Sequence, residues 1–553
     1  MQEPSASRPS SSNQENDIHS PVGYKSWVWK YFGFRKKGGQ TDKTFAICKD
    51  CKCELRHSGN TTNLSLHLKR RHGIAEENVC NTRDTPASSL TTFFPEKLSH
   101  TSKRAVKITS AISYFICKDM RPYNVVENEG FRELLHTLEP KYNITSRQHF
   151  SESCILKLYE DVEKDVKHEL MDAGRVAITT DGWTSCATEA YVTITCHFIN
   201  TEWQMKDYVL QTRILNDTHT GVNIGTVLKE ACEEWNIQEK KTALVTDNAS
   251  NMSIAGKEAS LSPHIKCFEH TINLTTQKGL KCAGAVRLLG RVRRIVAFSH
   301  RSTVATAVFK EKQRLLELPE HKLKHDVVTR WNSSFDMLER FLEQQAAVCA
   351  SLLDRKLRKG ASDVHTLSED DITAAEEMVK LLGPVKATTT VMCEEKQPTV
   401  SVIAPLQAKL LDNLKAANED PTLITEMKET MKRELEQCYV DVQQVLRKAS
   451  ALDPRFKRLP YLSEEERDVT FQCLIQEGFQ RLEQKKLKTL DALFGDALYT
   501  VDPNQMIKNP RDLAQAEIVK YRETASLNLG GNVLEWWKTH QSEFPFLADL
   551  AKE

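Results

Sequence analysis

The stretch RVAITTDGWTSCATEAYVTITCHFI (175–199) decides the fold of this chain. Its first part, RVAITTD (175–181), is a short apolar run stopped by Asp-Gly, a turn signal. YVTITCHFI (191–199) alternates apolar and polar residues and is rich in β-branched side chains, as a half-buried strand requires. MKDYVLQTRIL (205–215) reads as a third strand, and three strands so close together predict an antiparallel meander. Gly221 to Trp235 then carries a helical pattern, followed by KKTALVTDNAS (240–250), a strand ending in an acid. A helix between two strands permits parallel pairing. IKCF (265–268) reads as a short fifth strand.

Outward from this sheet the period changes. Upstream, 105–172 looks helical, with SESCILKLYEDVEKDVKHELM (151–171) carrying apolar residues at helical spacing. Residues 75–104 hold Asn, Thr, Ser and Pro with little periodicity and read as a linker. Residues 1–22 are rich in Ser, Pro, Asn and Glu and are expected to be disordered. Beyond Thr271 strands nearly vanish. Leu288–Lys312, Ser333–Leu357, Asp370–Leu382, Val402–Leu414, Leu423–Lys448, Glu464–Lys485, Asp512–Ser526 and Asn532–Glu553 all show helical periodicity, with no fixed-period repeat. At roughly 100–200 residues per domain, 553 residues suggest about three to five domains.

The charge is uneven. The whole chain has a formal net charge of +1, yet Tyr24 to Gly73 holds 12 Lys/Arg against three acids, leaving a mildly acidic remainder. Such asymmetry points to a nucleic-acid-binding module. No run of 18 apolar residues exists to cross a membrane, and the N-terminus MQEPSASRPSSSNQEND has no apolar signal core. The fifteen scattered cysteines then fit a reducing compartment, and the basic module favours the nucleus.

Within the basic segment, Cys48-x-x-Cys51 is followed by His67-x4-His72. Zinc takes four such ligands in a tetrahedron. FAICKDC supplies two thiolates from a hairpin knuckle, and TTNLSLHLKRRH supplies two imidazoles from one helix face, with Cys53 as a competing thiolate. The same helix presents Asn60, Thr61, Thr62, Asn63, Lys69, Arg70 and Arg71. Asn suits adenine edges, and Lys and Arg suit phosphates. Trp27, Trp29, Phe32 and Phe34 either pack a small core or touch DNA, core being the simpler role. KSWVWKYFGF, ICKDC and NTTNLSLHLKRRH resemble a BED zinc finger, a module of chromatin-boundary and transposase-derived DNA-binding proteins.

TTDGWTS (179–185), LVTDNASNM (244–252), CFEHTINL (267–274), TRWNSSFDMLERFLE (329–343), LDPRFK (452–457) and LEWWKTHQSEFPFLADLAK (534–552) occur in one order. Together with 111–147 they resemble the hAT transposase superfamily and the host proteins derived from it. On this resemblance the chain is an α+β protein: a BED-type finger (23–74), an RNase-H-like mixed sheet (173–275), a large helical insertion (276–530) and part of a C-terminal dimerisation segment (531–553). Asp181 and Asp247 match the first two acids of a catalytic Asp-Asp-Glu set, and His270 a supporting histidine. Cys267 belongs to the same motif as a packing residue. Trp331 matches a tryptophan that holds distorted DNA, with helix-core packing as its other role.

The third acid is expected in a stretch beyond Glu553, and Glu535, Glu543 and Glu553 do not stand in its word. From the residues alone, Asp181 and Asp247 are equally ordinary turn starters. The expected function is nuclear, zinc-dependent, sequence-specific binding of double-stranded DNA in transcriptional regulation, with weak or no catalysis. An active transposase, using Mg²⁺ at Asp181 and Asp247, is one alternative. A self-associating scaffold, dimeric or larger, is another. The apolar end, Trp536 to Leu550, is expected to dock on the body.

Overall fold

A computed structural model of the chain describes residues 18–37, 40–74, 97–240, 242–357, 364–393, 397–487 and 510–553. Most of the expected N-terminal tail (1–17) and linker (75–96) lies outside these residues. The chain divides into two compact units, Met1–Arg147 and Gln148–Glu553.

In the first unit, β1 (Ile18–His19), β2 (Phe32–Lys37), β3 (Gln40–Cys48) and β4 (Glu54–Arg56) form an antiparallel sheet in that order. β1 corrects the expected tail: Ile18 pairs with Arg35 and His19 with Phe34. Gly33 permits this, because a Cβ there would stand 2.4 Å from the Ile18 side chain and 2.7 Å from the His19 carbonyl. Val28, Trp29, Phe32, Phe34, Ala46, Cys48, Leu64 and Leu68 make the finger's core. Three of the four aromatics thus take the core role, and Trp27 stays half-buried at its edge. The helices Lys103–Lys118 and Glu129–Leu138 also lie in this unit.

The second unit holds a five-stranded sheet in the order β7-β6-β5-β8-β9: β5 (Ala177–Thr184), β6 (Ala190–Ile199), β7 (Met205–Ile214), β8 (Ala243–Thr246) and β9 (His264–Lys266). β5, β6 and β7 form the expected meander, while β8 joins β5, and β9 joins β8, in parallel. Burial alternates along β6, so Val192, Ile194 and Cys196 face one core. The helices Ile155–Asp172, Gly221–Glu234 and Ser250–Glu258 supply its other side, through Val166, Leu170, Ile224, Leu228 and Ala255. The expected single helical region 105–172 is therefore divided, since Val166 and Leu170 bury with the sheet.

Two helices of this layer pack backbone to backbone. A Cβ on Gly221 would lie 2.5 Å from the Asn251 carbonyl oxygen, and one on Gly225 would lie 2.6 Å from the Glu258 Cβ. Thr220 caps the first helix by accepting from the Asn223 amide at 3.3 Å. Gly225→Val is expected to destabilise the second unit by about 1–3 kcal/mol through overpacking. A urea midpoint unchanged from the parent would contradict this packing.

No strand follows β9 among the described residues. The helices between Phe268 and Ala451 bury one large cluster around Leu289, Val292, Phe335, Leu338, Met378, Leu382 and Met427. Glu464–Leu487 and Pro510–Glu523 instead pack with Val533–His540 and Pro545–Ala551 around Leu474, Tyr521, Trp537, Phe544 and Leu547. The apolar end is thus docked. The Trp203 ring stacks on Trp537 with centroids 6.0 Å apart, and its indole N–H donates to Gln541 at 2.9 Å. A cavity of about 480 Å³ remains between the sheet and these C-terminal helices, lined by Ala177, Val245, Ile265, Val400, Leu534 and Trp537.

Candidate metal centre and acidic site

The metal site is built from a knuckle and a widened helix. β3 ends at Cys48, whose amide donates to the Cys53 carbonyl at 3.0 Å, while the Lys52 amide returns to the Cys48 carbonyl at 3.0 Å. Lys52 takes a left-handed φ of 60° to close the turn. The helix starts as Thr62–His67, with the Asn60 carboxamide oxygen accepting from the Thr62 amide at 2.9 Å.

In a regular α-helix two residues five apart are turned by about 140° from each other. Leu68–His72 is instead a π-helical turn, and this wider turn brings His72 back beside His67. Gly73, at φ 65°, ends it, with the Ile74 amide donating to the Leu68 carbonyl at 3.1 Å.

The four ligand atoms of Cys48, Cys51, His67 and His72 lie within 4.8 Å of one another. The Cys48 sulfur is 3.5 Å from the His72 Nε2, the Cys51 sulfur 3.2 Å from the His67 Nε2, and the two Nε2 atoms 3.3 Å apart. A tetrahedral zinc with ordinary bond lengths requires about 3.6 Å between sulfur and nitrogen and about 3.3 Å between nitrogens. The donor set fits zinc. Cys53 is not part of this group. Burial pushes the Cys48 thiol up. Burial also acts to raise the Cys51 thiol. Hydrogen bonds from the Cys53 amide and from His72, Cys48 and His67 outweigh it and bring that thiol down to about 6. A thiolate is the form that binds metal.

On the same finger Asn60, Thr62, Asn63, Lys69, Arg70 and Arg71 are exposed and Thr61 is half-buried. Asn60 has its oxygen engaged by the Thr62 amide and hydroxyl, so part of its hydrogen-bonding capacity serves the helix start.

In the sheet, Thr179 pairs with Val245 across the parallel strands β5 and β8. Asp181 and Asp247 each stand two residues beyond that pair. They therefore sit level on neighbouring strands, on the same face, with Asp247 just past the end of β8 and Asp181 inside β5, where it pairs with Thr193. The expected stop at Asp-Gly is corrected, because pairing with β6 carries the strand on to Thr184. Asp181 is exposed and Asp247 half-buried. The Asp247 carboxylate also accepts from the Ala249 amide at 3.0 Å, the turn-starting role.

Cys267 lies at the junction of β9 and the helix Phe268–Leu280. Burial pushes its thiol up, and the Glu269 and Asp181 carboxylates add to that rise. His270, in the helix's first turn, is half-buried. Among the described residues the zinc set is the one group of three or more metal-ligating side chains, so no third carboxylate is gathered with Asp181 and Asp247.

Trp331 is corrected. Its ring is 2% exposed and packs edge-on against Phe335 with centroids 6.4 Å apart, inside the helical core. That removes it from a DNA-contacting surface and leaves the packing role. Two other features escape a reading of the sequence. Trp183, two residues past Asp181 on the same face, stacks on Tyr191 at 4.6 Å and stays 46% exposed. Tyr439 donates to the Lys266 carbonyl at 2.8 Å and meets the Thr271 hydroxyl at 3.0 Å, while Thr271 bonds Asn248 beside Asp247. Neither this pairing nor the break in the helix at Tyr439 is visible in the residues.

The comparisons agree with this division of the chain. Family models match a BED zinc finger at residues 26–73, the ZBED1 RNase-like domain at 179–269 and the ZBED1 RNase-like helical domain at 265–381. Zinc finger BED domain-containing protein 4 of Homo sapiens is 28% identical over 97% of this chain and 49% of its own length. The putative AC transposase of Zea mays is 22% identical over 95% of this chain and 70% of its own. The putative transcriptional regulator tpeD of Talaromyces stipitatus is 24% identical over 83% and 58%. The chain thus spans about half the length of the human relative. A finger, a mixed sheet and a helical domain are each matched in order, so the chain carries a BED zinc finger followed by ZBED1-type RNase-like domains, and its relatives are BED zinc finger proteins and hAT transposases.

Proposed function

We propose that this chain is a nuclear, sequence-specific reader of double-stranded DNA, derived from a transposase and acting in transcriptional regulation with little or no strand cleavage. The observation that carries this reading is the four-ligand site at zinc spacing beneath an exposed basic helix. Asn63 and Thr62 at the helix start face base edges, while Lys69, Arg70 and Arg71 hold phosphates. The fungal relative named as a putative transcriptional regulator supports the regulatory role. Gel-shift titration of the Asn63→Ala variant tests the assignment. Selectivity between the preferred and a scrambled duplex is expected to fall by about 1–3 kcal/mol. Unchanged selectivity would remove Asn63 from the reading set.

One observation favours a second reading. Asp181 and Asp247 stand level on an open face, as a Mg²⁺ site for phosphoryl transfer requires. Under the primary reading, purified protein with Mg²⁺ leaves a transposon-end duplex intact. Nicking that disappears in Asp181→Asn would establish the active transposase instead.

A further inference from the structure

The helix Ala283–Arg301 reads AGAVRLLGRVRRIVAFSHR, with five arginines, no lysine and no acid. The chain outside the finger is otherwise mildly acidic, so general charge does not account for it. Ala285, Leu288, Leu289, Val292, Ile295 and Val296 form the buried side. Arg287, Arg294 and Arg301 recur at seven-residue intervals on the opposite side, and all three are exposed. Two helical turns separate each from the next, so the row rises about 10.5 Å per step and spans about 21 Å.

The helix's other two arginines have partners: Arg291 is paired with Asp371, and Arg293 with Asp326 at 2.7 Å. Among the described residues Arg287, Arg294 and Arg301 have no carboxylate partner. Between Arg287 and Arg294 lies Gly290. Glycine inside a helix costs stability relative to alanine. Nothing in the fold requires it here, because a Cβ at Gly290 would meet no atom within 4 Å. A bare backbone flanked by unpaired arginines lets an extended anion approach the helix closely. The guanidinium fork matches phosphate oxygens in a bidentate way that an ammonium does not.

We propose that Arg287, Arg294 and Arg301, with Gly290 between them, form a second DNA-contact face that tracks the phosphate backbone of a duplex without reading its sequence. This face is separate from the finger and works on any duplex. It gives the second unit its own, salt-sensitive hold on DNA.

The test uses the full chain carrying His72→Ala, which silences the finger, and a random-sequence duplex titrated across salt concentrations. Binding is expected to persist at low salt. Adding Arg287→Ala, Arg294→Ala and Arg301→Ala is expected to lower the slope of log K against log salt by about 3, at roughly 0.9 per phosphate contact. The corresponding triple lysine variant is expected to keep most of the slope, which separates charge from folding. Gly290→Ala is expected to raise the melting temperature and weaken binding together. An unchanged slope in the triple alanine variant, with an unchanged circular dichroism spectrum, would overturn the proposal and leave the finger's role untouched. So would complete loss of low-salt binding in His72→Ala alone.

Discussion

His72→Ala is expected to abolish zinc binding and unfold the finger while leaving the second unit folded. Seven buried core residues besides the ligand Cys48 hold the finger together, of which only Trp29, Phe32 and Phe34 are aromatic. A core that small does not stabilise a domain of about 50 residues by itself. Structural zinc contributes on the order of 10–16 kcal/mol in isolated fingers, so its loss exceeds anything the core supplies. Removing one imidazole also exposes the coordination sphere. Zinc per chain is expected to drop from one to near zero, and sequence-selective DNA binding to vanish with it. Cys53→Ser is the control, since Cys53 lies outside the ligand group and its variant keeps full zinc. The second unit carries its own cores around Leu289, Leu228 and Trp537, so its thermal transition is expected to stay where it was. A His72→Ala protein that retained stoichiometric zinc would contradict the ligand assignment.

Trp537→Ala is expected to be the most damaging single truncation in the second unit. The ring is 1% exposed. It stacks on Trp203 at 6.0 Å and on Tyr521 at 5.6 Å, and meets Trp536 edge-on at 5.0 Å. Its indole N–H donates to the Leu452 carbonyl at 3.0 Å. Truncation of a buried tryptophan costs about 3–5 kcal/mol, and the orphaned carbonyl adds to it. Trp537→Phe keeps most of the packing and loses the hydrogen bond, for about 1–2 kcal/mol. The neighbouring LDPRFK segment explains why the effect spreads. Asp453 pairs with Arg455 at 2.7 Å, and the buried Lys457 ammonium donates to the Tyr521 carbonyl at 2.6 Å and the Thr524 carbonyl at 2.5 Å. Urea denaturation separates the variants. A Trp537→Ala protein within about 1 kcal/mol of the parent would mean that the C-terminal helices are not docked in solution.

Much of this was legible in the residues because local chemistry and tertiary need coincide. The alternation in YVTITCHFI is the burial alternation of β6, and KKTALVTD ends where β8 ends. The zinc ligands announce themselves because metal chemistry admits few residue types. What periodicity could not show was where tertiary contacts override it. Leu423–Lys448 reads as one helix, yet the chain breaks at Cys438-Tyr439, with Tyr439 in a left-handed φ of 66°. The phenol's bonds to Lys266 and Thr271, more than 160 residues away, hold that break. The widened turn at Leu68–His72 was hidden for the same reason, since it answers to the ligand cluster and not to helix propensity. Trp331 shows the opposite limit. Its motif left DNA contact and core packing both open, and the large helical core claimed the ring.

The most direct test of the account is selection from a random-sequence duplex pool by the full chain, with and without a zinc chelator, at about 150 mM salt, where phosphate attraction alone is weak. The account predicts enrichment of one motif, lost on chelation and restored by added zinc. Enrichment that survives chelation, or none in the presence of zinc, would contradict the finger as the reader of DNA sequence.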